Sequence, residues 1–205
     1  MLKKFIDFSL DSLKFYYFRS GLKFRGKDIV LSHTGYTGDL GFEIYAKNED
    51  ILYIWETLID SGVVPCGLGA RDTLRIEAGY PLYGHELSED VNPIEAGLSN
   101  FIYWDKDFIG KKALLEIKKD GIEKKLIGFT MQRGVPRQGY KIFKDNEEIG
   151  YVTSGTSSPM LGKMIGMGYV YRLDLLENDV IFIDIRGKKQ EAEVVSFPFY
   201  NPKGR

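Results

Sequence analysis

Ser32-His33-Thr34-Gly35-Tyr36-Thr37-Gly38-Asp39-Leu40-Gly41-Phe42-Glu43-Ile44-Tyr45 places a glycine at every third position, 35, 38 and 41, between two runs that read as strands. Upstream, Asp28-Ile29-Val30-Leu31-Ser32 is one such run; downstream, Phe42-Glu43-Ile44-Tyr45 alternates in character along its length. Glycine is favoured where the backbone must take positive φ or come close to a ligand. In a strand, Glu43 projects opposite Phe42 and Ile44, away from the core those two enter. Two readings fit these residues. One is a hairpin with a roomy turn and an exposed glutamate; the other is a loop that brings a carboxylate to a ligand.

The surrounding chain narrows the class. Its 205 residues allow one large or two small domains, each able to bury a core. A net charge of -1 and an isoelectric point near 6.2 give no reason to expect nucleic acid or an anionic membrane as partner. Thirteen Tyr and thirteen Phe favour sheet-rich structure. The single cysteine, Cys66, excludes an intrachain disulfide, fits a reducing cytoplasm and is expected to be a small buried residue. No apolar run approaches membrane-spanning length, and the start of the chain is too short and too soon charged for a signal peptide. The histidines, His33 and His85, lack metal-ligand spacing, so no metal is expected. The glycine loop lacks a Gly-Lys-Ser/Thr ending and leads into a strand, which is unlike a phosphate-binding loop.

Leu13 to Phe18 reads as a strand ended by Gly21. Ile51, Ile54, Trp55, Leu58 and Ile59 follow the spacing of one buried helical face, with Asn48 or Asp50 as cap and Gly62 as stop. Next comes Val64-Pro-Cys-Gly-Leu-Gly-Ala-Arg-Asp-Thr-Leu-Arg-Ile-Glu-Ala-Gly79, read as a helix over Ala70–Ala78 with Ala70, Leu74 and Ala78 on its apolar face. Arg71 stands in the first turn, against the positive end of the helix dipole. It serves either a surface ion pair with Asp72 or Glu77, or an anionic or carbonyl-bearing ligand. Asn92-Pro93 predicts a short capped helix, and Ile109–Ile117 another with Ala113, Leu114 and Ile117 apolar.

The polar, glycine-broken stretch Lys118–Lys125 is the expected boundary, giving domains 1–120 and 121–205. Beyond it, short strands are predicted at Leu126–Met131, Tyr140–Phe143, Glu148–Thr153, Ile165–Tyr171, Val180–Ile185 and Gln190–Val195. Turns at Asp145-Asn146 and Arg186-Gly187 separate two pairs of them. The fold class expected is therefore an α+β region followed by a small antiparallel β-barrel or sandwich. The tail, Phe197-Pro-Phe-Tyr200-Asn-Pro, is apolar and should dock.

GYTGDLGFEIY followed by CGLGARDTLRIEAGYPLYGHEL resembles the glycine cleavage T-protein family, the tetrahydrofolate-dependent aminomethyltransferases. The likeness continues through Asn92-Pro-Ile-Glu-Ala-Gly97, Phe108-Ile-Gly-Lys111, Gly134-Val-Pro-Arg137, Gly150-Tyr-Val-Thr-Ser-Gly155, Ser158-Pro159 and Ile165-Gly-Met-Gly-Tyr-Val170. It implies a folate-binding region followed by a C-terminal barrel, and transfer of the one-carbon unit from the aminomethyl-dihydrolipoyl arm of H-protein to tetrahydrofolate, with release of ammonia. It also implies that Glu43 and Arg71 contact folate or substrate, with Tyr200 in the same role. Tyr36, Tyr83 and Tyr200 could supply flat apolar contact. Arg137 could line the same mouth or serve the barrel alone. The match is to the second half of the family, and the family's catalytic aspartate has no counterpart in this sequence. The expectation is that an aminomethyltransferase of this kind needs the remaining portion, supplied in one case by a separate chain. The alternatives are a non-enzymatic folate-binding module or an inactive remnant.

Overall fold

The computed structural model describes residues 1–201 and divides into two compact units, Met1–Arg71 and Asp72–Arg205. In the first unit the run upstream of the glycine loop forms strand β2 (Lys27–Ser32), and the alternating run after it forms β3 (Glu43–Ala46). They pair antiparallel with Ser32 opposite Glu43, Leu31 opposite Ile44 and Val30 opposite Tyr45. Strand β1 (Phe18–Phe24) flanks β2 on the other side, giving a sheet ordered β1-β2-β3. Arg25 and Gly26, both at positive φ, make the two-residue turn between β1 and β2 that suits the twist of a hairpin.

The strand expected over Leu13–Phe18 lies further along the chain. Residues 13–17 turn instead, with Tyr16 at φ 66° and the Tyr17 N–H donating to Lys14 O at 3.1 Å. The strand begins only at Phe18 and passes through Gly21, whose φ of 72° coincides with a register shift against β2. Gly21 is thus a bulge and not a stop. Period-two alternation alone does not distinguish these arrangements.

One face of the sheet is covered. Leu22, Phe24, Ile29 and Leu31 pack with Phe5, Ile6, Leu10 and Leu13 from the start of the chain and with Ile54 of helix α1 (Asn48–Asp60). The helix was expected to bury Ile51 and Trp55, but these are exposed; the inward residues are Asp50, Ile54 and Thr57, with Leu58 half-buried. Asp50 turns inward because Lys27 on β2 meets it at 2.6 Å, a pair that hydrophobic spacing does not reveal. Lys47 is the N-cap residue and no side chain caps this terminus, so neither Asn48 nor Asp50 has the expected role. Gly62, at φ 95°, follows the end as expected.

Helix α2 (Leu68–Glu77) contains the boundary of the two units. Its buried residues are Arg75, Ile76 and Glu77, whereas the expected apolar face has Ala70 exposed and Leu74 and Ala78 only half-buried. After Asn92 the chain makes turns, not a helix, although Asn92 Oδ1 accepts from the N–H groups of Ile94 and Glu95 at 3.0 Å each. Helix α3 (Lys111–Asp120) buries none of its residues: Ala113 is exposed, and Leu114 and Ile117 are half-buried.

Six strands then close an antiparallel barrel in the order β4-β7-β6-β5-β8-β9, with β9 returning to β4. They are β4 (Lys125–Met131), β5 (Lys141–Lys144), β6 (Glu147–Ser158), β7 (Lys163–Val170), β8 (Val180–Ile185) and β9 (Lys188–Val195). Asp145-Asn146 and Arg186-Gly187 all take positive φ, as two-residue hairpin turns require. The barrel fills itself with alternate residues of its own strands, among them Phe129, Ile142, Val152, Ile181, Ile183 and Val194. Closure removes every free edge from this sheet. The tail docks as expected on its own unit through Phe197–Tyr200, while its Pro202 lies outside the described residues. The Tyr200 N–H donates to Glu77 O at 2.9 Å, and the Phe197 and Phe199 rings lie so close to Gly128 that a Cβ there would come within 3.0 Å of both.

Candidate functional site

The first unit presents Glu43, Tyr36 and Arg71; the second presents Tyr83, Arg137 and Tyr200. Glu43 is the first residue of β3 and is exposed on the sheet face opposite the Leu31–Ile44 core. Its Oε2 accepts from the Thr34 hydroxyl and, at 3.4 Å, from the Tyr45 hydroxyl. Thr34 Oγ1 also lies 2.7 Å from Ser32 Oγ. No lysine or arginine among the described residues forms an ion pair with Glu43. The carboxylate is therefore oriented through its Oε2 by two neutral hydroxyl donors.

Thr34 and Tyr45 also line a depression of about 400 Å³, together with Tyr16, Tyr17, Phe18, Val30 and Ser32. The aromatic side chains of Tyr16, Tyr17, Phe18 and Tyr45 are all exposed. A flat heterocycle with a paired N–H edge suits such a place: rings give stacking area, and a carboxylate accepts two charge-assisted bonds. Thr34 and Tyr45 were missed in the sequence. The signal that identifies them is the strand register, which puts Tyr45 two residues from Glu43 on the same face.

Arg71 is exposed, with its guanidinium carbon 4.6 Å from the centre of the Tyr36 ring. The ion pair weighed for it is absent among the described residues. Asp72 pairs with Arg75 at 2.8 Å, and Glu77 is buried, accepting from the Ser158 hydroxyl and the Met160 N–H. Stacking on Tyr36 holds the fork while leaving its N–H edges for a carbonyl or carboxylate.

In the second unit, Tyr83 projects from the Tyr80–Glu86 loop and is 68% exposed. Arg137 is exposed, and its Nη1 donates to Gly155 O at 3.4 Å. Tyr200 is half-buried and anchored through its backbone to Glu77. A further residue that sequence reading passed over is Arg75, which is fully buried. Its Nε donates to Asp72 Oδ1 at 2.8 Å, Nη1 to Glu86 Oε2 at 2.8 Å and Tyr80 O at 3.2 Å, and Nη2 to Ser154 Oγ at 2.8 Å. Cys66, expected to be buried, is exposed in the extended connection before α2, where its thiol donates to Val64 O at 3.7 Å. Among the described residues no group of three His, Cys, Asp or Glu side chains is placed to hold a metal. No helix among them is long and apolar enough to cross a membrane.

Two family models match this chain: the GCVT N-terminal domain over residues 1–106, and the glycine cleavage T-protein C-terminal barrel domain over residues 124–201. The chain belongs to the glycine cleavage T-protein family. Among T-protein relatives, an aminomethyltransferase of Geobacillus is 46% identical over 98% of this chain and 57% of its own length. One from Caldanaerobacter subterraneus is 47% identical over 98% of this chain and 55% of its own. The crystal structure of glycine cleavage system aminomethyltransferase T from Bartonella henselae superposes with a TM-score of 0.86 at 34% identity, covering 94% of this chain and 54% of that one. This T-protein sequence therefore spans a little over half the length of these relatives.

Proposed function

We propose that this chain is the tetrahydrofolate-binding part of an aminomethyltransferase of the glycine cleavage system. Residues 1–120 would belong to the folate-binding region and 121–205 to its barrel domain. The observation that carries the reading is Glu43: a carboxylate oriented by Thr34 and Tyr45, paired with no cation among the described residues, beside an aromatic depression lined by those same two side chains. In this reading Glu43 accepts the N–H and amino edge of the reduced pterin, while Arg71, stacked on Tyr36, binds a carbonyl or carboxylate of the folate. Tyr83, Arg137 and Tyr200 supply further contact.

The reaction starts from an aminomethyl group bonded to a dihydrolipoyl sulfur of H-protein. The C–S and C–N bonds of that carbon break, and two new C–N bonds form to the folate N5 and N10. The protons released from those nitrogens leave with the thiol and with ammonia, so 5,10-methylenetetrahydrofolate is formed without an oxidant. A group that steers protons and stabilises positive charge at the carbon typically contributes about 10²–10⁴ in rate. Glu43 is assigned to the pterin, so we assign that role to the portion of the family architecture that the relatives have in addition to this match. The partners are then lipoylated H-protein and, where that portion is encoded apart, a second chain. A cytoplasmic setting fits an exposed free cysteine such as Cys66.

The test supplies aminomethylated H-protein and tetrahydrofolate and follows methylenetetrahydrofolate formation by the 205-residue chain, alone and with a polypeptide carrying the additional portion of a relative. Turnover is expected only in the mixture. Equal turnover by the lone chain would mean that the acid lies within it. Folate binding without turnover in either case would favour a non-enzymatic folate-binding module.

A further inference from the structure

Residues Tyr80–Glu86 form an irregular loop, yet its backbone is held at nearly every residue. Arg75 Nη1 donates to Tyr80 O, and Glu86 Oε2 accepts from the Leu82 N–H at 3.0 Å. Gln138 Nε2 donates to Gly84 O at 3.0 Å, and the Tyr169 hydroxyl donates to Glu86 O at 2.8 Å. His85 Nδ1 lies 3.1 Å from Thr153 O. At the centre is the Arg75–Glu86 ion pair, with both side chains essentially inaccessible. At the tip stands Tyr83, the one large hydrophobic side chain of the loop that is exposed.

Burying two charges is expensive, and an apolar pair of similar volume stabilises a fold as well or better. The arrangement is costlier still because Glu86 Oε1 has no hydrogen-bond partner among the described residues. The apolar cluster inside the barrel does not include the pair. What an apolar pair cannot do is grip backbone groups: Arg75 and Glu86 together bind the carbonyl of Tyr80 and the amide of Leu82, the residues on the approach to Tyr83. We propose that the Arg75–Glu86 pair is a positioning device that fixes the loop so that Tyr83 is presented, already ordered, as a flat contact for the folate. Neither residue touches the ligand. The inference rests on the folate-site reading of Tyr83 and adds to it a rule about preorganisation: a side chain already held in its bound pose loses less freedom on binding.

The Arg75→Met/Glu86→Leu double variant removes the grip without stranding a charge. Two readouts separate positioning from simple stability: amide hydrogen exchange of residues 82–87 against that of the barrel strands, and calorimetric affinity for tetrahydrofolate. Exchange in the loop is expected to rise at least tenfold and affinity to fall about tenfold, while β4, β6 and β7 keep their protection. Glu86→Gln, which retains acceptors for Arg75 and Leu82, should keep loop exchange and affinity within about twofold of the parent. Unchanged loop protection in the double variant, or equal loss across loop and barrel, would overturn the proposal. Arg75→Lys, which loses Asp72 and Ser154, should move both readouts in the same direction and decides the matter if the double variant does not fold. Tyr83→Ala in the parent is the separating control. If it leaves affinity unchanged while the double variant frees the loop, the folate contact of Tyr83 fails and the clamp stands.

Discussion

Thr34 donates its hydroxyl to Glu43 Oε2, joining the entry of the glycine-rich loop to its exit. A nine-residue separation is thereby closed by one side-chain bond, next to the Ser32–Glu43 register pair that ends β2 and opens β3. The loop can then be rich in glycine without leaving the carboxylate free to wander. This places Glu43 at the centre of the first prediction.

Glu43→Ala is expected to weaken tetrahydrofolate binding by about 1.5–3 kcal/mol, the range for hydrogen bonds to a charged group. The side chain is exposed, so unfolding by urea should shift by less than about 0.5 kcal/mol. Thr34→Val should give a smaller loss, since the carboxylate remains but is less well oriented. Calorimetric titration of the three proteins checks the order; equal affinities for parent and Glu43→Ala would remove Glu43 from the site.

Arg71→Lys preserves charge but not the planar fork, and an ammonium stacks less well on Tyr36. Folate affinity should fall by about 1.5 kcal/mol at constant salt. Tyr36→Leu should cost about 0.5–1 kcal/mol, the worth of an exposed cation–π contact. Folate analogues lacking the glutamate tail would locate the contact: if the Arg71→Lys penalty vanishes with them, the fork meets a tail carboxylate.

Burial raises the pKa of the Tyr169 hydroxyl well above the ordinary tyrosine value of about 10, with the nearby Tyr151, Glu86 and Glu95 adding to the rise. The neutral phenol is thus favoured in the folded state. Its contribution to stability is complete below about pH 10 and is lost as pH rises further, by at most about 1.4 kcal/mol per pH unit. Tyr169→Phe should cost about 1 kcal/mol at neutral pH, because the bond to Glu86 O is lost. The same variant should show a flatter decline above about pH 10. Urea unfolding between roughly pH 7 and 11 gives both quantities; parallel curves would mean the phenol is not the group responsible.

Gly150→Ala should destabilise the protein by about 3 kcal/mol. Gly150 faces Val170 across β6 and β7, and a Cβ there would strike the Tyr169 carbonyl oxygen and lie 2.9 Å from Val170 Cα. Backbone cannot step aside as a side chain can. Gly35→Ala, where nothing lies within 4 Å, is the matched control and should be neutral within about 0.5 kcal/mol. Equal melting temperatures for the two variants would contradict the packing described.

The barrel was legible because its information is local. Short strand-like runs follow one another, and Asp145-Asn146 and Arg186-Gly187 mark two-residue turns whose conformations few residues accept. Glu43 and Arg71 were legible as candidates because each sits where its local pattern does not require it. The parts misread depend on partners far along the chain. Asp50 turns inward through Lys27, so the buried face of α1 rotates away from Ile51 and Trp55. Arg75 is buried by Glu86 and Ser154, on segments that no helical period connects to it. Tyr16 at positive φ is invisible to any pattern that assumes extended backbone.

The bond from the Tyr200 N–H to Glu77 O has a consequence in time. A ribosome makes Glu77 well before it makes Tyr200, and at 5–20 residues per second the wait is roughly ten seconds. The C-terminal end of α2 is completed last, since the Tyr200 N–H that its Glu77 carbonyl accepts from and the Phe197 ring that lies against Gly79 are among the final residues made. Chains that stop a few residues short should therefore carry a closed barrel and a frayed helix end, a species open to proteases at the end of α2 and nowhere in the barrel.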